Sequence, residues 1–497
     1  MDFMMLPKFS LLVLCVLLGA CGSESSNERL TVSDASEQVF DENLKRCLKD
    51  QDFEFADEVT EVDCSSTWGR ISNLDGLNNF LNITHLNLKN NSLSIVDMSH
   101  HLKLTHLTLD TSNIISLNVS GNVNLIELSI SRGQLTSLDL SNNVNLATLD
   151  VSYNHLDNLG VNNNPKLLYL DASSNHLNSI YLAYNLELME LRIDDNEFHD
   201  LFISLNTNLT YVSANRNDIS YLNLSKNRQL TYLSMFNNDH LYSLNLTDNL
   251  SLEYLDLSHT NLSILDLHTS LPLKEIYLRG NCPHGLDLSV FENLSILDLS
   301  ECRLSDVSLS ENLALREVDL TNSSVESLDV SQNINLISLR VSKNNLMELD
   351  ISNSPLLEVL ELSENNLVAI DLDNNHALRE VDISRNEITN ISVVNNVALI
   401  ELNLAVNNVS NLDITTNEKL EELTLSSNLL THFDVSTNNL LKSLYLNGNK
   451  LSSVPLGLAD IKNGPAWISL IGNPLSAEAI EELKQIDEAK SHLFLLF

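Results

Sequence analysis

The strongest constraint in this chain is a motif of the form LxxLxLxxN, or a close variant, that recurs eighteen times between Ile83 and Leu446. Successive copies are 21 residues apart, except for one step of 22 residues between Leu230 and Leu252. A period of this kind predicts an elongated solenoid, in which each copy forms one coil and contacts only its neighbours. With strands about 4.8 Å apart, the coils should form a rod on the order of 85 Å long.

The pattern inside each copy predicts which side chains are buried. An LxL pair places both leucines on one face of a short strand and the residue between them on the other face. The Asn that follows, as at Asn154, Asn175 and Asn196, should be buried and structural, because its amide can bond to the backbone of neighbouring coils.

Each copy also nearly duplicates itself, since LxxLxL returns after the Asn, as at Leu135, Leu138 and Leu140. Alternation with a period of two in both halves predicts extended chain on both sides of the coil. This half-duplicated unit resembles the short leucine-rich repeats of bacterial surface proteins of the internalin-like kind. The resemblance implies a leucine-rich-repeat solenoid, a slim, gently curved right-handed coil with a parallel sheet on its concave side and extended chain on its convex side.

The first residues predict export. Residues 1–20 have the pattern of a signal peptide, with an apolar run from Phe9 to Leu18 that is too short to span a bilayer. The sequence LGAC, which ends at Cys21, resembles a bacterial lipobox and implies a lipid on the Cys21 thiol. Gly22 then implies sorting to the outer membrane in a cell with two membranes. The alternative is an ordinary signal peptide that contains a cysteine.

Three further segments surround the repeats of residues 81–450. Residues 21–36 are rich in Ser, Glu and Asn, which predicts a disordered tether. Residues 37–80 should form a small α/β cap and residues 451–497 a helical cap that begins near Ser476, because each end of a solenoid exposes leucines that must be covered.

The exported chain offers two cysteine pairs. Cys47 and Cys64 should form a disulfide in the N-terminal cap, given the oxidising compartment. Cys282 and Cys302 lie one coil apart, and their pairing is left open. Cys302 occupies an Asn position of the repeat, where a lone buried cysteine is an ordinary substitute.

Aromatic residues cluster on the predicted concave face. Tyr211, Tyr232 and Tyr254 occupy the third motif position of successive coils, and the 22-residue step falls among them. Rigid aromatics bury much area at little entropic cost, as binding hot spots do. The alternative is plain cross-strand pairing of strand-forming residues. We predict a partner-binding site, in which the extra residue re-aims the local surface. The site comprises Tyr169, Tyr211, Tyr232, Phe236, Tyr254 and Tyr277.

The charge balance narrows the class of partner. The chain has 67 Asp and Glu against 28 Lys and Arg, a formal charge of -39, and a surface of this sign repels the phosphates of a nucleic acid. A basic protein or a glycan fits this surface better, although acidity also simply keeps a rod soluble. A column of aspartates in the second half of the coils, such as Asp139 and Asp266, fits either calcium or turn hydrogen bonds.

No motif of a catalytic centre is present in the sequence, so we expect neither an enzyme nor a cofactor, and no metal site is predicted. The leading interpretation is a lipid-anchored protein of the cell envelope that binds another protein through the concave face. A glycan-binding module and a passive structural spacer are the alternatives.

Overall fold

The computed structural model describes residues 29–65, 69–283, 285–304, 307–462 and 466–497. The predicted signal peptide, Cys21 and the first part of the predicted tether lie outside the described residues.

The elements are short and numerous. The helices are α1 (Val32–Ser36), α2 (Glu42–Lys49) and α3 (Ala477–Ala489), with 3-10 turns at Leu77–Asn79 and Leu458–Asp460. In chain order the strands are β1 (Glu61–Asp63), β2 (His85–Asn87), β3 (Ile95–Asp97), β4 (His106–Thr108), β5 (Ser116–Asn118), β6 (Glu127–Ser129), β7 (Thr148–Asp150), β8 (Tyr169–Asp171), β9 (Glu190–Arg192), β10 (Asp200–Leu201), β11 (Tyr211–Ser213), β12 (Tyr221–Leu222), β13 (Tyr232–Ser234), β14 (Ser243–Asn245), β15 (Tyr254–Asp256), β16 (Ile264–Asp266), β17 (Glu275–Tyr277), β18 (Ile296–Asp298), β19 (Glu317–Asp319), β20 (Ser338–Arg340), β21 (Val359–Glu361), β22 (Glu380–Asp382), β23 (Glu401–Asn403), β24 (Glu422–Thr424), β25 (Ser443–Tyr445), β26 (Ala466–Ser469) and β27 (Leu493–Leu496).

One long parallel sheet runs the length of the molecule. Within the described residues it contains 21 strands, each of which pairs with the next in sequence order, from β1 to β27. Three further two-stranded parallel sheets lie on the opposite side of the coils, formed by β3 with β5, β10 with β12 and β14 with β16. We call the side of the long sheet the concave face and the opposite side the convex side. The predicted solenoid is confirmed.

The buried residues follow the LxL pattern. In β8, for example, Leu170 is fully buried, while Tyr169 and Asp171 on either side are partly exposed. The inward leucines of all coils join into one continuous hydrophobic core that extends from the N-terminal cap to Leu493.

Asparagine side chains connect one coil to the next. The Asn175 Nδ2 donates to the carbonyl of Val151 in the preceding coil (3.0 Å), and its Oδ1 accepts from the backbone N–H of Leu156 (3.0 Å). A second row lies in the duplicated half, where Asn185 Nδ2 donates to the carbonyls of Val161 (3.0 Å) and Asn164 (2.8 Å). Both rows satisfy backbone groups that the turning chain would otherwise bury unpaired.

The N-terminal cap begins earlier than the composition suggested. Helix α1 starts after Thr31, whose hydroxyl accepts from the Asp34 N–H, and Val32 and Ala35 are buried in the core. The prediction that the tether extends to residue 36 is therefore wrong for residues 29–36, because two apolar side chains suffice to pack this short helix. Helix α2 follows, with Asp41 as its N-cap.

The C-terminal cap contains a helix, a strand and a returning tail. Helix α3 begins after Ser476, whose side chain accepts from the Ala479 N–H, and its Leu483 is fully buried. Strand β27 pairs in parallel with β26, so the tail packs back onto the last coil.

Two disulfides are present in the described residues. One joins Cys47 in α2 to Cys64 after β1, with Cα atoms 5.8 Å apart. The other joins Cys282 to Cys302 across adjacent coils, with Cα atoms 5.7 Å apart. The sequence left this pairing open, and in the structure the disulfide is formed. None of the helices in the described part of the chain is long and apolar enough to cross a membrane.

Candidate functional site: a tyrosine ridge on the concave face

Three tyrosine rings stack at the centre of the concave face. Strands β11, β13 and β15 pair in register, which places Tyr211 opposite Tyr232 and Tyr232 opposite Tyr254. The ring centroids are 4.0 Å and 4.1 Å apart, with interplanar angles of 8° and 10°. The rings therefore stand side by side along the rod, each with its faces turned towards the neighbouring coils.

Other side chains cover both ends of this stack. The Tyr277 ring lies 5.4 Å from that of Tyr254, tilted by 40°. At the opposite end the Arg192 guanidinium lies 4.4 Å from the Tyr211 ring centre and 5.9 Å from that of Tyr169. Such contacts are favourable because a ring face attracts a cation. We call Tyr169, Arg192, Tyr211, Tyr232, Tyr254 and Tyr277 the tyrosine ridge.

The hydroxyl groups at the two ends of the ridge are paired with nearby acids. The Tyr169 O–H donates to Asp171 Oδ2 at 3.4 Å. The Tyr277 O–H donates to Glu275 Oε2 at 3.0 Å. Burial raises the pKa of Tyr232 and of Tyr254 to about 12, so both remain neutral phenols at physiological pH.

A polar floor lies beside the rings. Ser213 Oγ donates to Asp194 Oδ1 (2.7 Å), and Ser234 Oγ donates to Asn215 Oδ1 (2.6 Å). Burial raises the pKa of the Asp194 and Asp256 carboxyls above the ordinary value for aspartate. The site thus combines a rigid aromatic ridge with partly buried acids that a cationic group could neutralise.

The structure brings the five predicted tyrosines into this one ridge but separates Phe236 from it. Phe236 occupies the seventh motif position, where its ring contacts His259 edge-on at 5.6 Å and the Arg216 guanidinium at 5.5 Å. Phe236 therefore borders the ridge rather than extending the stack.

The prediction that the 22-residue step re-aims this surface is wrong. Asn238 Nδ2 donates to the carbonyl of Ala214, 24 residues earlier, which is the spacing found in the other coils. Asn249 Nδ2 donates to the carbonyl of Leu224, which is 25 residues earlier. The extra residue therefore lies between Asn238 and Asn249, in a turn where the Leu241 N–H donates to the Asn238 carbonyl (3.1 Å). The turn absorbs the insertion, so the concave strands stay in register.

Sequence reasoning missed two features of the concave face. Arg192 was not singled out, although its place between Tyr169 and Tyr211 in the repeat register was readable from the 21-residue spacing. Near the C-terminus, Trp467 stacks on Phe494 at 4.6 Å, and both are exposed. That pair was hidden because β27 returns to the sheet after a helix, outside the periodic pattern.

Within the described part of the chain, no group of three or more His, Cys, Asp or Glu side chains is arranged to hold a metal ion. Most aspartates of the convex side accept a hydrogen bond from the turn that follows, as where the Ser141 N–H donates to Asp139 Oδ1 at 2.9 Å.

Comparison with known proteins places the fold. No protein-family model matches the chain, and no curated protein matches it. Among solved structures, YopM from Yersinia enterocolitica is 23% identical, with 84% of this chain and 92% of that chain covered and a TM-score of 0.63. The functional domain of InlJ from Listeria monocytogenes is 22% identical, with 82% of each chain covered and a TM-score of 0.59.

The fold is a leucine-rich-repeat solenoid. A third similar structure is the plant peptide hormone receptor RGFR1 in complex with RGF2, which is 19% identical, covers 84% of both chains and has a TM-score of 0.54. At these identities the leucine-rich-repeat neighbours show the architecture alone.

Proposed function

We propose that this chain is a non-enzymatic binding scaffold of the cell envelope, which captures a protein partner on the tyrosine ridge. The observation that carries the proposal is the ridge itself, a preformed row of aromatic side chains at the centre of the concave face. Its rings are already held by stacking and by Arg192, so little conformational entropy is lost on binding.

The leucine-rich-repeat neighbours support the class of partner. RGFR1 was solved in complex with RGF2, so a solenoid of this architecture can present a peptide-binding surface. The ridge of this chain lies beside the acids Asp194 and Asp256, which favours a partner that contributes Lys or Arg side chains to the contact.

The stacking geometry argues against the glycan alternative. Sugars bind aromatic side chains mainly across a ring face, yet both faces of Tyr232 are covered, by Tyr211 and by Tyr254. What remains accessible is a row of ring edges and hydroxyls, which suits the side chains of a protein better than the flat face of a sugar.

A capture experiment tests the proposal. The chain without residues 1–21 is immobilised beside the triple variant Tyr211→Ala/Tyr232→Ala/Tyr254→Ala, and both are exposed to envelope and host extracts. The control variant is Glu380→Ala/Glu401→Ala/Glu422→Ala, which removes three side chains from the same register positions elsewhere on the face. Thermal unfolding first establishes that all three proteins are folded.

We expect one specific protein to be retained by the parent chain and by the glutamate variant, and lost from the tyrosine variant. Identical profiles for all three proteins would remove the ridge as the binding site and favour the passive spacer.

We further propose that the chain is exported and anchored to the outer membrane through a lipid on Cys21. This part of the proposal rests on the sequence of residues 1–22 alone. Replacing Cys21 by Ala should move the protein from the membrane fraction to the soluble fraction, because the acyl chains supply the anchor. Retention of the Cys21→Ala variant in the membrane fraction would refute the anchor.

A further inference from the structure

Aspartate is the most frequent residue at one position of the convex side, where it has a structural role. The carboxylate accepts a hydrogen bond from the backbone N–H two residues further on, as Asp139 does from Ser141 (2.9 Å) and Asp329 does from Ser331 (2.9 Å). This bond stabilises the turn that follows each convex segment. We call the corresponding positions of successive coils the aspartate column.

Aromatic side chains interrupt the aspartate column in the middle of the rod. From Asp139 onwards the column contains Gly160, Tyr181, Phe202, Asn223, Asn245 and Asp266. Tyr181 and Phe202 cannot accept the turn bond, and their side chains point outwards, because Leu182, Leu201 and Ile203 beside them are buried. Phe202 is 74% exposed and Tyr181 is 58% exposed.

Neighbouring side chains enlarge this exposed surface. The Tyr184 ring lies 5.9 Å from that of Tyr181, edge-on. Leu205 occupies the position of Tyr184 in the next coil, and Tyr221 pairs with Asp200 on the convex sheet. All three are more than half exposed. We call Tyr181, Tyr184, Phe202, Leu205 and Tyr221 the convex aromatic patch. Two coils thus give up a stabilising turn bond and expose large apolar side chains, which marks an interaction surface.

We propose that the convex aromatic patch binds a second copy of this chain, in an antiparallel arrangement about a two-fold axis that passes between the coils of Tyr181 and Phe202. A two-fold interface presents the same patch from both copies, and each position meets its mirror position across the axis. Tyr181 then faces Phe202 of the second copy, and Tyr184 faces Leu205.

The distribution of charge favours this occupant and this register. Two chains of formal charge -39 repel one another wherever their carboxylates face each other. In the antiparallel register Asp139 faces Asn245 of the second copy, and Asp200 faces Ser179. No aspartate faces another in either of these two columns between residues 139 and 245. In a parallel arrangement without any shift between the two copies, every aspartate would face the same aspartate of the second copy.

The shape of the surface also fits this register. Gly160 faces the coil of Asn223 and Tyr221 in the second copy. A Cβ at Gly160 would have no heavy atom within 4 Å, so the surface above it is open. The missing side chain leaves room for the exposed Tyr221 ring of the partner copy to lie over the backbone.

Sedimentation of the purified chain over a range of protein concentrations tests this proposal. We expect a reversible dimer that strengthens as salt is added, because salt screens the repulsion between the two acidic rods. The variants Tyr181→Asp and Phe202→Asp restore the usual residue of the column, so they should keep or raise the thermal stability. Each should weaken the dimer by roughly tenfold or more, the size of one hot-spot contact.

The chain offers a matched control. Ile95 is also 74% exposed on a convex strand, far from the patch, so Ile95→Asp adds the same charge and should leave the dimer unchanged. A monomer at every concentration and salt level, or a dimer that survives Phe202→Asp, would overturn the proposal. The Tyr211/Tyr232/Tyr254 alanine variant should still dimerise, so this result is independent of the tyrosine ridge.

Discussion

One residue in almost every coil adopts a left-handed backbone conformation. It lies just before the Asn of the motif, and most of its occupants are polar or glycine, such as Asn90 (φ 61°), Lys343 (φ 58°) and Gly448 (φ 64°). This conformation costs most L-residues energy, because the Cβ approaches the following carbonyl oxygen. The repeat accepts that cost in every coil because the turn directs the next Asn into the core.

Val406 is the least suitable occupant of this position. It is β-branched and has a φ of 57°, a conformation that such residues rarely adopt. We expect Val406→Asn to raise the free energy of unfolding by about 1 kcal/mol, because Asn tolerates the left-handed region. Denaturant unfolding measures the change. Val397→Asn is the control, since Val397 is similarly exposed in the preceding coil but lies outside that region. An equal gain in both variants would refute the strain.

The Asn of the motif is the second residue that the fold depends on. Asn175→Ala removes the bonds to the Val151 carbonyl and the Leu156 N–H. The Val151 carbonyl still accepts from Asn154 Nδ2, but the buried Leu156 N–H loses its partner. We expect a loss of about 1–3 kcal/mol in the free energy of unfolding, the usual cost of an unpaired buried group. Asn178→Ala, at an exposed position of the same coil, should change little. Unchanged stability in the Asn175 variant would show that the ladder is dispensable there.

At the scale of the strand, equal register brings like charges together. Glu380 in β22, Glu401 in β23 and Glu422 in β24 face one another directly across the sheet. Burial and the neighbouring Glu422 and Glu380 raise the pKa of Glu401 above the ordinary value for glutamate. A raised pKa in the folded state means that folding favours the protonated acid. Stability is therefore lost as the pH rises through that pKa.

Glu401→Gln should consequently stabilise the protein at neutral pH. Removing two opposed pairs of like charges is worth roughly 0.2–1 kcal/mol. The gain should shrink with added salt and disappear below the ordinary pKa of glutamate, where the parent residue is also neutral. Thermal unfolding of both proteins at pH 7 and pH 3.5 measures this. A gain that persists unchanged at pH 3.5 would show that charge is not its cause.

The convex segments show where element prediction from sequence reached its limit. The repeated LxxLxL predicts extended chain there, yet in the described residues only six convex segments, from β3 to β16, pair as strands. The side chains of the second Asn row bond to the carbonyls of the preceding coil in both cases, as Asn122 does beside β5 and Asn185 does where no convex strands pair. Periodicity predicts which residues are buried, but not whether the convex backbones also pair.

At the scale of the whole molecule, the rod was predictable because each coil contacts only its neighbours. The same local rule predicts from the sequence that Tyr211, Tyr232 and Tyr254 lie side by side, and the structure has them so. The contact of Arg192 with Tyr211 was missed, because the 21-residue spacing gives the position of Arg192 in the sheet but not how far its side chain reaches. The convex aromatic patch was missed although its signal, the gap in the aspartates between Asp139 and Asp266, was present in the sequence.

A disulfide crosslinks the cap at the N-terminal end of the rod. The disulfide between Cys47 and Cys64 closes a loop within the cap that covers the first coils. Replacing both cysteines by Ser should lower the free energy of unfolding by about 2–4 kcal/mol, chiefly by freeing the unfolded chain. Denaturant unfolding of the variant beside the parent under oxidising conditions measures the loss, and equal midpoints would contradict it.

The turn that absorbs the extra residue near His240 has a consequence for how such a molecule changes over generations. Each coil presents the same backbone hydrogen-bonding groups to the next coil. A coil can therefore be gained, lost or lengthened at a turn without disturbing the concave strands on either side. Selection can therefore change the exposed side chains of the recognition surface one coil at a time, while the buried core of the solenoid stays the same.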